Sequence, residues 1–198
     1  MVLALGAGLC LAGFAQRQPV LPGTPAPYLA PTSDDRADWW AQSTFGPTSW
    51  LTGAFGSGWS TVWNNPEEWK RSPDGFGRRL ASRTANVAMA NGIDAGLGAI
   101  WGEDPRYHRK ASGSFGSRAG HIVKMTFFTP YRDGRTRFAF ARTIGNVGGN
   151  TIQNVWMPHS AKGVGQISYN VGVGFAARAG SNAFKEFWPD LRKKVFRK

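Results

Sequence analysis

The sequence predicts an all-α fold: a compact bundle of about five helices with close-packed Gly/Ala-rich faces, preceded by a signal peptide and a Pro-rich linker. Three observations carry that expectation. Proline and glycine punctuation divides residues 37–198 into five apolar segments. Small residues recur at steps of three or four in four of those segments, which places them on one helical face. Alternation of period two, the mark of a half-buried strand, is confined to one or two short stretches.

The chain opens with Val2–Ala15 (VLALGAGLCLAGFA), an uncharged apolar run. It is too short to span a bilayer as a helix, which takes roughly 20 residues. It suits the core of a signal peptide, with Gly13-Phe14-Ala15 as a small-x-small cleavage site, so residues 1–15 read as a signal peptide. No Lys or Arg precedes the run, and a buried N-terminal helix is the competing reading. Leu9 stands before Cys10 where a lipoprotein signal carries a small residue. Cleavage near Ala15 would remove the single cysteine, as suits an oxidising compartment. Residues 16–36 contain Pro19, Pro22, Pro25, Pro27 and Pro31, and read as a disordered, extended linker. Residues 37–198 then form a single helical domain with a basic C-terminal tail.

The five segments run over residues 47–64, 76–101, 117–129, 136–157 and 164–188. Pro66, Gly102 before Asp104-Pro105, Pro130 with the Arg132-Asp133-Gly134 turn, Pro158 and Pro189 stop them in order. A short terminal helix, 191–196, follows Asp190 as its cap. The second segment has the clearest small-residue stripe: Ala81, Ala85, Ala88, Gly92, Ala95 and Ala99. Shorter stripes are Gly53, Gly56 and Ser60; Ala141, Gly145 and Gly148; and Ser168, Gly172, Ala176, Ala179 and Ala183. Such flat faces let helix axes approach closely, which offsets the roughly 1 kcal/mol that a mid-helix glycine costs against alanine. Residues 167–175 alternate apolar with small or polar, as an outer-membrane strand would. The helical spacing that follows, and the scarcity of further strands, favour helices.

The chain of 198 residues carries 24 Lys+Arg against 12 Asp+Glu, a formal net charge of +12. One cysteine excludes a disulfide framework and a Cys-cluster zinc site. No nucleophile elbow, two-histidine zinc helix or Walker loop occurs, and no cofactor or metal is expected. The weak catalytic candidates are His121 and Glu186, a histidine and a carboxylate that an interhelical cleft would have to bring together. Basic clusters give the ligand-binding candidates Arg106, Arg109, Lys110, Arg192, Lys193 and Lys194. A solvated basic surface is the plainer reading of those residues.

Four strings, Pro66-Glu67-Glu68-Trp69, Gly75-Phe76-Gly77-Arg78-Arg79, Glu103-Asp104-Pro105-Arg106-Tyr107 and Lys185-Glu186-Phe187-Trp188-Pro189-Asp190, resemble an uncharacterised group of predicted exported proteins of soil bacteria. The resemblance covers about residues 65–198; it implies export and a single domain, and no activity. The expected function is that of an exported, non-enzymatic envelope protein, periplasmic or outer-membrane-associated. It would meet a membrane or another envelope component through charge-poor helices and basic clusters. Anionic lipid, an envelope component or a second copy are the expected partners, and nucleic acid is disfavoured by export. The alternatives are a hydrolase-like enzyme with an interhelical His/carboxylate site and a small outer-membrane β-barrel.

Overall fold

The computed structural model describes residues 28–195. It contains six α-helices: α1 (Ser33–Phe45), α2 (Pro47–Val62), α3 (Pro73–Trp101), α4 (Phe115–Phe127), α5 (Phe140–Gln153) and α6 (Val164–Val195). A two-stranded antiparallel hairpin, β1 (Phe128–Pro130) and β2 (Thr136–Phe138), joins α4 to α5. The expected all-α bundle is therefore present. The signal-peptide expectation for residues 1–15 lies outside the described residues.

Local chemistry explains the boundaries. Thr32 and Asp35 form a reciprocal capping box that starts α1. Ser72 accepts from the Gly75 N–H at the start of α3, with Pro73 in the first turn, where its missing donor costs nothing. Gly102 ends α3 in the left-handed conformation, with φ of 82°. Ser114 caps α4 in the same way as Ser72 caps α3.

Three expectations need correction. Helix α1 begins at Ser33, inside the stretch read as linker, because the capping box outweighs the upstream prolines. Residues 136–138 pair with 128–130 as a strand rather than opening the next helix, because the Arg132-Asp133-Gly134 turn folds the chain back. Helix α6 does not stop at Pro189. It runs through the proline to Val195, so the separate terminal helix does not exist. Proline deprives the Lys185 carbonyl of its helical donor. The neighbouring Glu186 carbonyl is taken by Arg109 Nε at 2.7 Å and an Arg118 terminal nitrogen at 2.6 Å.

The most extensive contact joins α3 to α5. A Cβ on Gly145 would collide with the Ala90 carbonyl oxygen, and one on Gly149 would lie 2.9 Å from Ala90 Cβ. The two backbones thus touch at α5's small residues, with Ala141 also buried. Gly53 of α2 packs on Leu80 and Arg83 in similar fashion. The long stripe on α3 does not pack as expected: Ala81, Ala85 and Gly92 face outward, and α3 meets α5 through Asn86, Ala90 and Asp94. On α6, Ser168, Gly172 and Ala176 are likewise exposed. Small residues lie on several faces of these helices, so spacing alone does not select the packed one.

Close axes leave little room for large side chains. Among the described residues, Ile122, Met125, Ala139, Ala141 and Ala161 are buried, with the prolines Pro66, Pro105 and Pro130, against fifteen buried polar or charged residues. Large apolar side chains lie outside instead, among them Phe55, Trp59, Ile100, Phe115, Val155 and Leu191. This reverses the usual distribution of a water-soluble domain.

Gly145→Ala or Gly149→Ala should each lower stability by about 1–3 kcal/mol, because backbone and side chains must move apart. Gly96→Ala, with open space around it, should be neutral or stabilising by up to about 1 kcal/mol. Denaturant unfolding in one detergent or buffer compares the three; equal effects would remove the close contact from the explanation.

Candidate functional site

Three carboxylates are almost wholly enclosed: Glu103 at 1% exposure, and Asp104 and Glu186 at 0%. Burial of an ionised carboxylate is costly unless donors surround it. Each has them. Glu103 accepts from the Ala141 N–H at 3.1 Å and the Tyr131 hydroxyl at 2.9 Å. Burial nonetheless pushes its carboxyl above the ordinary value. Asp104 accepts from Arg106 Nε and backbone N–H, and from the Tyr28 hydroxyl at 3.1 Å; His108 Nε2 lies 2.9 Å away. Burial opposes ionisation of Asp104, but His108 and Arg106 prevail and hold it well below the usual carboxylate range.

Glu186 anchors the loop between α3 and α4 to α6. Its oxygens accept from the Tyr107 hydroxyl at 2.8 Å, Arg118 Nε at 2.7 Å, and the N–H groups of Lys110 and Ala111 at 3.0 and 3.1 Å. Ala111 has φ of 63°, a left-handed conformation that costs an alanine roughly 1–2 kcal/mol. Its N–H is thereby turned toward the carboxylate. Burial raises the Glu186 pKa, and the hydrogen bonds from Arg118, Tyr107 and the two N–H groups outweigh it, so the net direction is down. Asp190 completes the cluster with ion pairs to Arg109 at 2.8 Å and Arg118 at 2.7 Å.

The sequence candidates distribute unevenly around this cluster. Arg106 pairs with Asp104 at 3.0 Å. Arg109 binds the Glu186 carbonyl and Asp190, and Lys110 Nζ donates to Ser117 Oγ at 2.6 Å. Arg192 and Lys193 are exposed near the end of α6, and Lys194 falls in its last turn. His121 Nε2 lies 2.7 Å from the His108 carbonyl, and no hydrogen bond joins His121 to Glu186 among the described residues. With its oxygens occupied by four donor groups, Glu186 serves as a structural anchor.

A separate cleft of about 1200 Å³ opens between α1–α2 and α6, over a floor from α3 and α5. Its floor is amide-rich. Asn86 Nδ2 donates to Asn150 Oδ1 at 3.1 Å, Asn150 Nδ2 to the Asn146 carbonyl at 2.8 Å, and Gln153 Nε2 to Ser82 Oγ at 3.0 Å. Asp94, Arg142 and Arg178 meet at its α5–α6 side. Sequence reading missed this centre because Asp94 stood as a lone charge in a long apolar segment, 48 and 84 residues from its partners in the chain. Among the described residues, no group of three or more His, Cys, Asp or Glu is placed to hold a metal ion. No family model, curated protein or solved structure matches this chain.

Depressed carboxylate values fix the pH response. Glu186 and Asp104 sit below their ordinary 4.5 and 3.8, so their stabilisation is complete above those values and lost as pH falls through the depressed ones. Denaturant stability should therefore begin to fall near about pH 5 and go on falling below about pH 3. Glu186→Gln should cost about 3 kcal/mol at neutral pH, by leaving Arg118 with a weaker partner, and should flatten that acid slope. An unchanged slope in the variant would assign the acid sensitivity elsewhere.

Proposed function

We propose that the protein is an exported, non-enzymatic envelope protein that rests against a membrane through charge-poor helices, with α2 foremost. One observation carries this reading: α2 contains no charged residue, and its outward face is aromatic and aliphatic. Leu51, Phe55, Trp59 and Val62 follow one another at helical spacing, and all are exposed. Phe55 is 75% exposed and Trp59 59%. Their rings stack at 6.5 Å between centroids, and Trp63 continues the row 5.8 Å from Trp59. The opposite face, Gly53 and Ser57, is buried.

A ridge of this kind gains by leaving water. Full burial of one large apolar side chain contributes roughly 1.5–3 kcal/mol, and aromatic residues favour the headgroup boundary, where indole N–H groups find partners. No helix among the described residues is long and apolar enough to cross a membrane, which suits contact along the helix axis rather than insertion end-on. The exposed Arg192 and Lys193 add attraction to anionic headgroups. The apolar run at residues 2–15 and the resemblance to predicted exported proteins support export.

Phe55→Ser combined with Trp59→Ser should reduce association with phospholipid vesicles by about tenfold or more, with helical circular dichroism preserved, because neither side chain is buried. Vesicle flotation measures it. Undiminished flotation, or wild-type protein that ignores vesicles and forms concentration-dependent oligomers, would overturn the reading.

A further inference from the structure

The cleft beside α2 is unbalanced in charge. Arg142, Arg178 and Lys185 line it from α5 and α6, with Arg79 and Arg83 on α3, and Asp94 is the carboxylate that answers them. Arg79 is spent on three backbone carbonyls, and Arg83 faces Ser49 and Thr52. On the α5–α6 side, Arg178 donates a terminal nitrogen to the Pro105 carbonyl at 2.9 Å and lies over the Trp39 ring, and the unused capacity is at Arg142 and Asp94. Arg142 is buried, and its NH1 donates to the Met125 and Thr126 carbonyls at 2.9 and 3.2 Å. Its Nε has no hydrogen-bond partner among the described residues. Asp94 Oδ2 is equally enclosed and unpartnered, 3.8 Å from Arg142 Nε and 3.5 Å from Arg178, both beyond hydrogen-bond length.

The cations also oppose one another. Burial, then the charge of Arg142, push the Arg178 guanidinium down to about 9. Burial, then Arg178 and Arg142, lower the Lys185 ammonium. An anion lodged among them would relieve both penalties. Asp94 calls for a different group, a hydroxyl that donates to its free oxygen. The rim supplies a third requirement: Leu51, Val173 and Phe184 line the same cleft and are exposed and apolar. A ligand that satisfies all three is anionic, hydroxylated and apolar at one end.

We infer that the cleft holds the headgroup of an anionic phospholipid whose phosphodiester bears a polyol, with the phosphate facing Arg142, Arg178 and Lys185, a hydroxyl on Asp94 Oδ2, and the acyl chains leaving over Leu51, Val173 and Phe184. This rests on the membrane reading and adds a specific lipid class to it. The ridge on α2 supplies attachment to any bilayer, and the cleft selects within it.

Native mass spectrometry of the full chain in a neutral detergent tests the selection, with phosphatidylglycerol, phosphatidylcholine and water-soluble glycerol phosphate as probes. Wild-type protein should retain one phosphatidylglycerol about tenfold better than phosphatidylcholine, and glycerol phosphate should compete weakly. Arg178→Gln with Lys185→Gln should abolish the preference. Lys185→Gln alone, at a side chain that makes no hydrogen bond or ion pair among the described residues, should keep the fold and reduce it by about threefold. The Phe55→Ser/Trp59→Ser protein should lose vesicles yet keep phosphatidylglycerol in detergent, which separates failure of the cleft from failure of the ridge. Equal retention of the two lipids, a preference that survives both cleft variants, or glycerol phosphate competing as well as the lipid would overturn the inference.

Discussion

The structure turns on the backbone contact between α3 and α5. Gly145 and Gly149 let the two helices approach until α5 touches the Ala90 carbonyl of α3. At that separation a large side chain fits only where it lies over a glycine, as Ile93 lies over Gly148. Much of what surrounds the contact is polar: Asn86 against Asn150, and Asp94 beside Arg142. Each such group must find a partner when buried, and most do. The interior is consequently a network of amides, hydroxyls and ion pairs, and the large apolar side chains are displaced to the outer surface.

That displacement has a thermodynamic consequence. In water, the exposed aromatic and aliphatic residues would contribute little to folding, because their transfer from solvent is incomplete. The buried carboxylates would have to hold the bundle by hydrogen bonds whose net worth is modest, about 1 kcal/mol each. Glu186 and Asp104 tie the α3–α4 loop to α6 and to the residues before α1, and so fasten distant parts of the chain. Enclosure of the outer face by an apolar phase would add the missing burial. The proposed membrane contact follows from this shortage, and the cleft is the place where the polar interior reaches the apolar edge.

Much of the fold was legible in the residues. Proline and glycine positions located α2, α3, α4 and the start of α6 within a few residues, because those residues act on the local backbone. Helix α1 was hidden by its proline-rich approach, although Thr32 and Asp35 carry the spacing of a capping box. The passage of α6 through Pro189 could not be read locally, since guanidinium groups from the α3–α4 loop and α4 occupy the neighbouring carbonyl. The stripe on α3 was legible as a stripe but not as a direction: Ala81 and Ala85 lie outside, Ala88 takes the Trp40 indole of α1 on its carbonyl, and Asn86, Ala90 and Asp94 face α5. Residues 186–190 are held by Arg109 of the 103–111 loop and by Arg118 of α4, whereas Arg106, of the same basic cluster, turns to Asp104. Which arginine meets which carboxylate depends on tertiary geometry that spacing does not encode.

Tryptophan emission in the presence of vesicles built from lipids brominated on their acyl chains probes the outer surface most directly. Trp50, Trp59 and Trp63 lie exposed along α2 and at its end, within reach of bromine if that face enters the bilayer. A lipid-facing exterior predicts a blue-shifted emission that brominated vesicles quench and unbrominated ones do not. Unshifted, unquenched emission from a monomer stable in plain buffer would contradict it.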